Sequence, residues 1–120
     1  MRYLVTDDSK LARRFLIKLL ENYIHVDNIT EATNGFEALE MIKIDKPDVV
    51  FLDLTMPIMD GYEALPKILE MSPNTRVIVV SADVQCQAKE KVLALGAYMH
   101  VEKPIDVDKI KEIFEIIKVQ

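Results

Sequence analysis

Several short apolar runs in this 120-residue chain end on residues able to do chemistry. Asp7 and Asp8 follow "YLVT", Asp53 follows "VVFL", Ser81 follows "VIVV", and Lys103 comes just after "YMHV" with Glu102 between. A lone aspartate after such a run is ordinarily a turn former, and Asp7-Asp8 ahead of Ser9 could serve only as a complement to a helix dipole. The set is more informative than its members. Three carboxylates brought into one cleft repel by several kcal/mol at roughly 4 Å unless a cation joins them. A hard divalent ion resolves the conflict, and Mg²⁺ suits it because it takes oxygen ligands and leaves room for waters and a phosphate. Lys103 adds a point charge for the same anion, and Ser81 a hydroxyl donor. The combination describes a phosphoryl site with Asp53 as the nucleophile, since aspartate carboxylates accept phosphoryl groups as acyl phosphates.

These residues meet only if the chain folds so that the ends of the runs share one edge. The alternation of strand-length apolar runs with amphipathic stretches predicts an α/β fold of βα units around a parallel sheet. The expected strands are Tyr3 to Thr6, Asn28 to Ala32, Val49 to Leu52, Val77 to Val80 and Tyr98 to Val101. "VVFL" and "VIVV" are apolar on both faces and belong in the middle; "NITEA" alternates and suits an edge. Helix 1 starts at a Ser9 cap, with Leu11, Phe15, Leu19 and Tyr23 along its apolar face and Arg13, Arg14, Lys18 and Glu21 largely off it. Further helices are expected near Phe36 to Ile44, Tyr62 to Met71 and Val84 to Leu95, and in the last helix Ile110, Ile113, Phe114 and Ile117 follow the i, i+3, i+4, i+7 rule. Pro66 falls inside the third, which should therefore be kinked or start late. Right-handed crossovers favour a doubly wound sheet of order 2-1-3-4-5. That order reverses between strands 1 and 3, so Asp7, Asp8 and Asp53 would face each other across a crevice at the carboxyl edge.

Composition limits what such a site serves. Half of the residues are apolar and 29% are charged, the balance of a globular chain. A net charge of -5 disfavours a direct nucleic-acid surface, which needs clustered Lys and Arg. The single cysteine, Cys86, permits no internal disulfide and is expected to be a free helical thiol, as suits a reducing cytoplasm. No apolar run approaches the roughly 20 residues of a membrane span.

The motifs "LVTDDS", "VVFLDLTMPIMDG", "VIVVSAD" and "VEKP" together resemble the receiver domain of two-component response regulators. The similarity covers the whole chain, and the organisation is that of the single-domain chemotaxis members. The resemblance implies a flavodoxin-like (βα)5 fold over residues 1–120, with the same 2-1-3-4-5 order that connectivity favours. It implies that Asp53 is the phosphoacceptor, and that Asp8, Asp53 and the Thr55 backbone carbonyl bind Mg²⁺ while Asp7 acts through a metal water. Lys103 would bind the phosphoryl group, Ser81 would be the switch hydroxyl, and the Lys103–Pro104 bond would be cis, aiming the lysine into the cleft. The implied partners are a sensor histidine kinase or phosphotransfer protein and a downstream protein target, met by a monomer or weak dimer.

Two features depart from the family pattern. His100 stands where the switch aromatic is usual, and both a switching role and an ordinary half-buried histidine are open readings. Thr55 and Asp83 occupy the positions that tune phosphate lifetime in the family.

Two rival functions are open to the same residues. A haloacid-dehalogenase-type phosphohydrolase also uses a strand-terminal Asp with Mg²⁺, but would ordinarily carry an acid where Thr55 stands, and a cap domain. An inactive receiver-like scaffold would not need every charged member of the site. The chain has three glycines and no phosphate-binding GxxxxGK[ST] loop. It closes with "IIKVQ" after the fifth helix, so output by docking is expected.

Overall fold

The apolar run Val49–Asp53 (β3) is buried along its whole length, and the sheet is built outward from it. In the computed structural model β3 pairs in parallel with Tyr3–Thr6 (β1) and with Arg76–Ser81 (β4). Ile29–Ala32 (β2) and Met99–Glu102 (β5) close the two edges, giving the order β2-β1-β3-β4-β5. The structure describes residues 1–82 and 86–118, without the side chains of Cys86 and Lys118. Expectations placed on Asp83, Val84 and the Cys86 thiol lie outside what is described.

Strand periodicity divides the core in two. Leu4, Val50, Leu52, Val77 and Val79 point to one face, against helices Gly35–Ile44 (α2) and Gly61–Met71 (α3), and Val92 of Cys86–Ala94 (α4) joins them. Tyr3, Val5, Val49, Phe51, Ile78 and Val80 point to the other, against Lys10–Leu20 (α1) and Val107–Lys118 (α5). The expected stripe Ile110, Ile113, Phe114 and Ile117 is buried in that layer. The polar run "NITEA" is an edge strand, as its alternation requires.

Helix 1 presents a different face from the one expected. Leu16 and Leu20 are its buried residues, while Leu11 is 81% exposed, Phe15 57% and Tyr23 40%. The helix carries two adjacent i, i+4 rows of apolar residues, about 100° apart. The sheet takes the row through Ala12, Leu16 and Leu20 and leaves Leu11 and Phe15 outside. The late start considered for α3 is also overturned. It begins at Gly61, capped by Asp60 Oδ1 accepting from the Glu63 N–H at 2.9 Å, and runs through Pro66.

Side-chain caps start α1 and α2 in the same way: Ser9 Oγ accepts from Ala12 N–H at 3.2 Å and Asn34 Oδ1 from Glu37 N–H at 2.8 Å. Each helix begins where a strand has just ended, so the polar connections gather along the carboxyl edge.

Candidate functional site

Asp7 directly follows β1, Asp53 is the last residue of β3, Ser81 the last of β4, and Lys103 directly follows β5. Because the strands are parallel, all arrive on one edge, and the order reversal puts the ends of β1 and β3 side by side. Asp7 and Asp53 are buried, Asp8 is exposed, and one oxygen from each of the three carboxylates lies within 4.8 Å of the others. Octahedral Mg²⁺ with oxygen ligands at about 2.1 Å spans about 3 to 4 Å between ligand oxygens, so this donor set fits a hard divalent cation after a small inward movement or through a water. The exposed side of Asp8 leaves coordination positions open.

Lys103 Nζ is 2.8 Å from Asp7 Oδ2 and 3.5 Å from Asp53 Oδ1. The Lys103–Pro104 peptide bond is cis, as the resemblance implies. The Lys103 N–H donates to the Ser81 carbonyl at 2.8 Å, which ties the end of β5 to the end of β4. Burial pushes the Asp53 carboxyl above its ordinary value, with the Asp7 charge adding to the rise. Lys103 and the Thr55 and Leu54 backbone N–H groups pull it part-way back. Burial alone would lower the Lys103 ammonium, but its hydrogen bond to Asp7 and the nearby Asp53 charge leave it raised. The cation is therefore firmly charged, and the nucleophile is held in a site that disfavours its own negative charge.

Ser81 is buried beside this cleft. His100, on β5, pairs with Val79 of β4 and is half-buried. Thr55 is exposed just beyond β3. The site thus joins Asp7, Asp8, Asp53 and Lys103, flanks them with Ser81 and Thr55, and has His100 within β5, three residues before Lys103.

Two cations, one on α1 and one on α5, hold the loops of this edge. Arg13 Nη1 donates to the Asp7 carbonyl at 2.7 Å, and Lys109 Nζ donates to the carbonyls of Glu102 and Pro104 at 2.7 and 3.1 Å, on either side of Lys103. No periodicity marks them, because what matters is where a long side chain ends.

Gly61 is required by close approach. A Cβ there would stand 2.3 Å from the Asp53 carbonyl oxygen and 2.8 Å from Leu54 Cα, both backbone atoms that cannot swing away. Gly61→Ala is expected to cost about 2 kcal/mol by overpacking and to displace the end of β3. Urea unfolding should show the loss, and a midpoint equal to that of the parent would refute it.

The family model of the response regulator receiver domain matches residues 3–115. The chain belongs to this family. Among curated relatives, the receiver is 36% identical over 115 residues to the chemotaxis protein CheY of Listeria monocytogenes, covering 96% of each. It is 39% identical to the protein-glutamate methylesterase/protein-glutamine glutaminase of Bacillus subtilis, across 93% of this chain but 33% of that protein. The chain thus spans about a third of the length of the methylesterase relatives it matches. Among solved structures, CheY in the CheX-CheY-BeF3-Mg²⁺ complex of Borrelia burgdorferi superposes with a TM-score of 0.88 at 30% identity, over 100% of this chain and 90% of that one. The receiver is CheY-like in fold and family, and no helix among the described residues is long and apolar enough to cross a membrane.

Proposed function

We propose that residues 1–120 act as a phosphoacceptor switch: Asp53 takes a phosphoryl group from a phosphohistidine on a histidine kinase or phosphotransfer protein, and the phosphorylated form docks on a downstream protein. The observation that carries this reading is the convergence of Lys103 and three carboxylates on the end of β3. In the transfer an Asp53 carboxylate oxygen bonds to phosphorus, the P–N bond breaks, and the imidazole leaves with that electron pair. Mg²⁺, held by Asp8, Asp53 and the Thr55 carbonyl with Asp7 behind a water, would supply charge neutralisation for the phosphoryl oxygens. Lys103 supplies the second positive charge and orients the group.

The donor's approach is suggested by what helix 1 leaves exposed. A cavity of about 580 Å³ opens beside Asp53 and Lys103, walled by Leu11, Ala12, Phe15, Leu16, Pro104 and Ile105. An apolar rim around a charged floor suits a protein surface that presents one phosphorylated side chain, and excludes water as it seats.

The test is incubation with labelled acetyl phosphate and Mg²⁺. One hydroxylamine-sensitive label per chain supports the switch. Steady turnover of phosphomonoesters would instead indicate a hydrolase, and no label under any condition a scaffold that works by contact alone.

Output is proposed on the face of α4, β5 and α5. The Ser81 hydroxyl, at the end of β4, is placed to donate to a new phosphoryl oxygen, and a charge-assisted hydrogen bond of about 1.5 to 3 kcal/mol is enough to bias a two-state element. Movement there changes the packing around His100, whose Nε2 is already buried, and so alters the surface that β5 and its neighbours present. With beryllofluoride and Mg²⁺, amide shifts should spread from Asp53 through Ser81 to His100 and Lys109, and Ser81→Ala should confine them to the cleft. Shifts that stop at the cleft in the parent would place the output surface elsewhere.

A further inference from the structure

We infer that Arg13 is a positioning residue for the candidate metal site, acting on Asp8 through the backbone; the inference rests on the Mg²⁺-dependent reading of that site.

Asp8 is the exposed member of the acidic cluster, and among the described residues no side-chain hydrogen bond or ion pair holds its carboxylate. Its placement must come from its backbone. The Asp7 carbonyl and the Asp8 N–H share one planar peptide unit, so whatever orients that carbonyl also orients the first bonds of Asp8. Arg13 Nη1 donates to this carbonyl at 2.7 Å, while its Nε donates to Glu31 Oε1 on β2 at 2.9 Å. The guanidinium is a rigid planar fork, and both of its ends are engaged. One end is anchored to the edge strand and the other sets the peptide plane.

The rest of the loop is held by Asp7 itself. Its N–H donates to the Ala32 carbonyl at 3.1 Å, its Oδ1 accepts from the Ser9 N–H at 2.9 Å, and its Oδ2 accepts from Lys103 at 2.8 Å. Those bonds fix Asp7, and the Arg13 bond is the one that reaches the peptide leading into Asp8. The Arg13 side chain is only 11% exposed against 46% for Glu31, so the clamp works out of water, where a charge-assisted bond is stronger. Helix 1 does not need it, being capped by Ser9 and anchored by Leu16 and Leu20.

The test measures Mg²⁺ affinity of the full chain by amide shift titration, alongside thermal melts without metal. Arg13→Gln is expected to weaken Mg²⁺ binding about tenfold or more, the effect usual for partners just outside a metal's own ligands. Its metal-free melt should stay close to that of the parent. Arg13→Lys should recover the loss only in part, because one ammonium cannot replace both prongs of the fork. Glu31→Gln, a surface change that leaves the fold intact, should weaken binding about threefold by loosening the outer anchor, below the usual outer-shell range because the carbonyl bond survives. Mg²⁺ binding within twofold of the parent in Arg13→Gln overturns the inference, as does unchanged binding in Glu31→Gln if Arg13→Gln does not fold. If the parent itself does not bind Mg²⁺, the proposed function falls together with this inference; if it binds and the variants match it, only this inference falls.

Discussion

Asp53→Asn is expected to abolish phosphoryl labelling while making the metal-free fold more stable. The first half follows from chemistry, since a neutral amide is too poor a nucleophile to form the acyl phosphate and no other carboxylate ends the central strand. The second half follows from the site's electrostatics. Burial, and after it the Asp7 charge, raise the Asp53 carboxyl above its ordinary 3.8, more than Lys103 and the two backbone N–H groups lower it. A carboxyl whose folded value lies above its unfolded one costs stability when ionised. That cost is present at neutral pH, shrinks as pH falls through the raised value, and is gone below the unfolded value. Asparagine carries no such cost, and Lys103 keeps its closer partner, Asp7, at 2.8 Å. At pH 7 without metal, Asp53→Asn should therefore melt above the parent by about 4 °C for each kcal/mol relieved. The gap should close as the pH approaches 4. A variant that melts below the parent at pH 7, or that still labels stoichiometrically, contradicts the assignment.

Millimolar Mg²⁺ is expected to raise the parent's melting temperature by an amount that grows with the logarithm of its concentration. Relief of repulsion among Asp7, Asp8 and Asp53 exists only where their oxygens lie within 4.8 Å, which is the folded state. Linkage then adds RT ln(1 + [Mg²⁺]/Kd), about 2.7 kcal/mol at one hundred times Kd and so about 10 °C for a domain of this size. Asp8→Asn removes a direct ligand and should flatten the response. Asp53→Asn should flatten it too, although its melt starts higher. EDTA should return the parent to its metal-free value and halt labelling. A parent melt that is level from zero to tens of millimolar Mg²⁺ would leave the acidic cluster without a metal.

Much of this is legible in the sequence. The apolar runs of β3 and β4 placed both strands in the interior, and "NITEA" placed β2 at an edge, because burial on two faces or one is written in a strand's period. The stripe of α5 was equally clear, with a single apolar face to choose from. Helix 1 offered two neighbouring apolar rows, and nothing local distinguishes the one that meets the sheet from the one that borders the cleft. Pro66 illustrates the opposite limit, a local preference overridden: the Asp60 cap and the burial of Gly61, Ala64, Leu65 and Ile68 keep α3 continuous despite the missing N–H.

The site divides along the same line. That Asp7, Asp8, Asp53, Ser81 and Lys103 come together was determined by sequence, because residues ending parallel strands must share an edge whatever the packing details. That Lys103 sits closer to Asp7 than to Asp53, that Gly61 lies against the Asp53 carbonyl, and that Arg13 and Lys109 grip the carbonyls flanking the acids were decided only by the tertiary structure. The physical reason is reach. A strand end is located by the backbone ladder that the local pattern encodes, whereas the far end of an arginine or lysine is located by the rotation and spacing of a whole helix against the sheet.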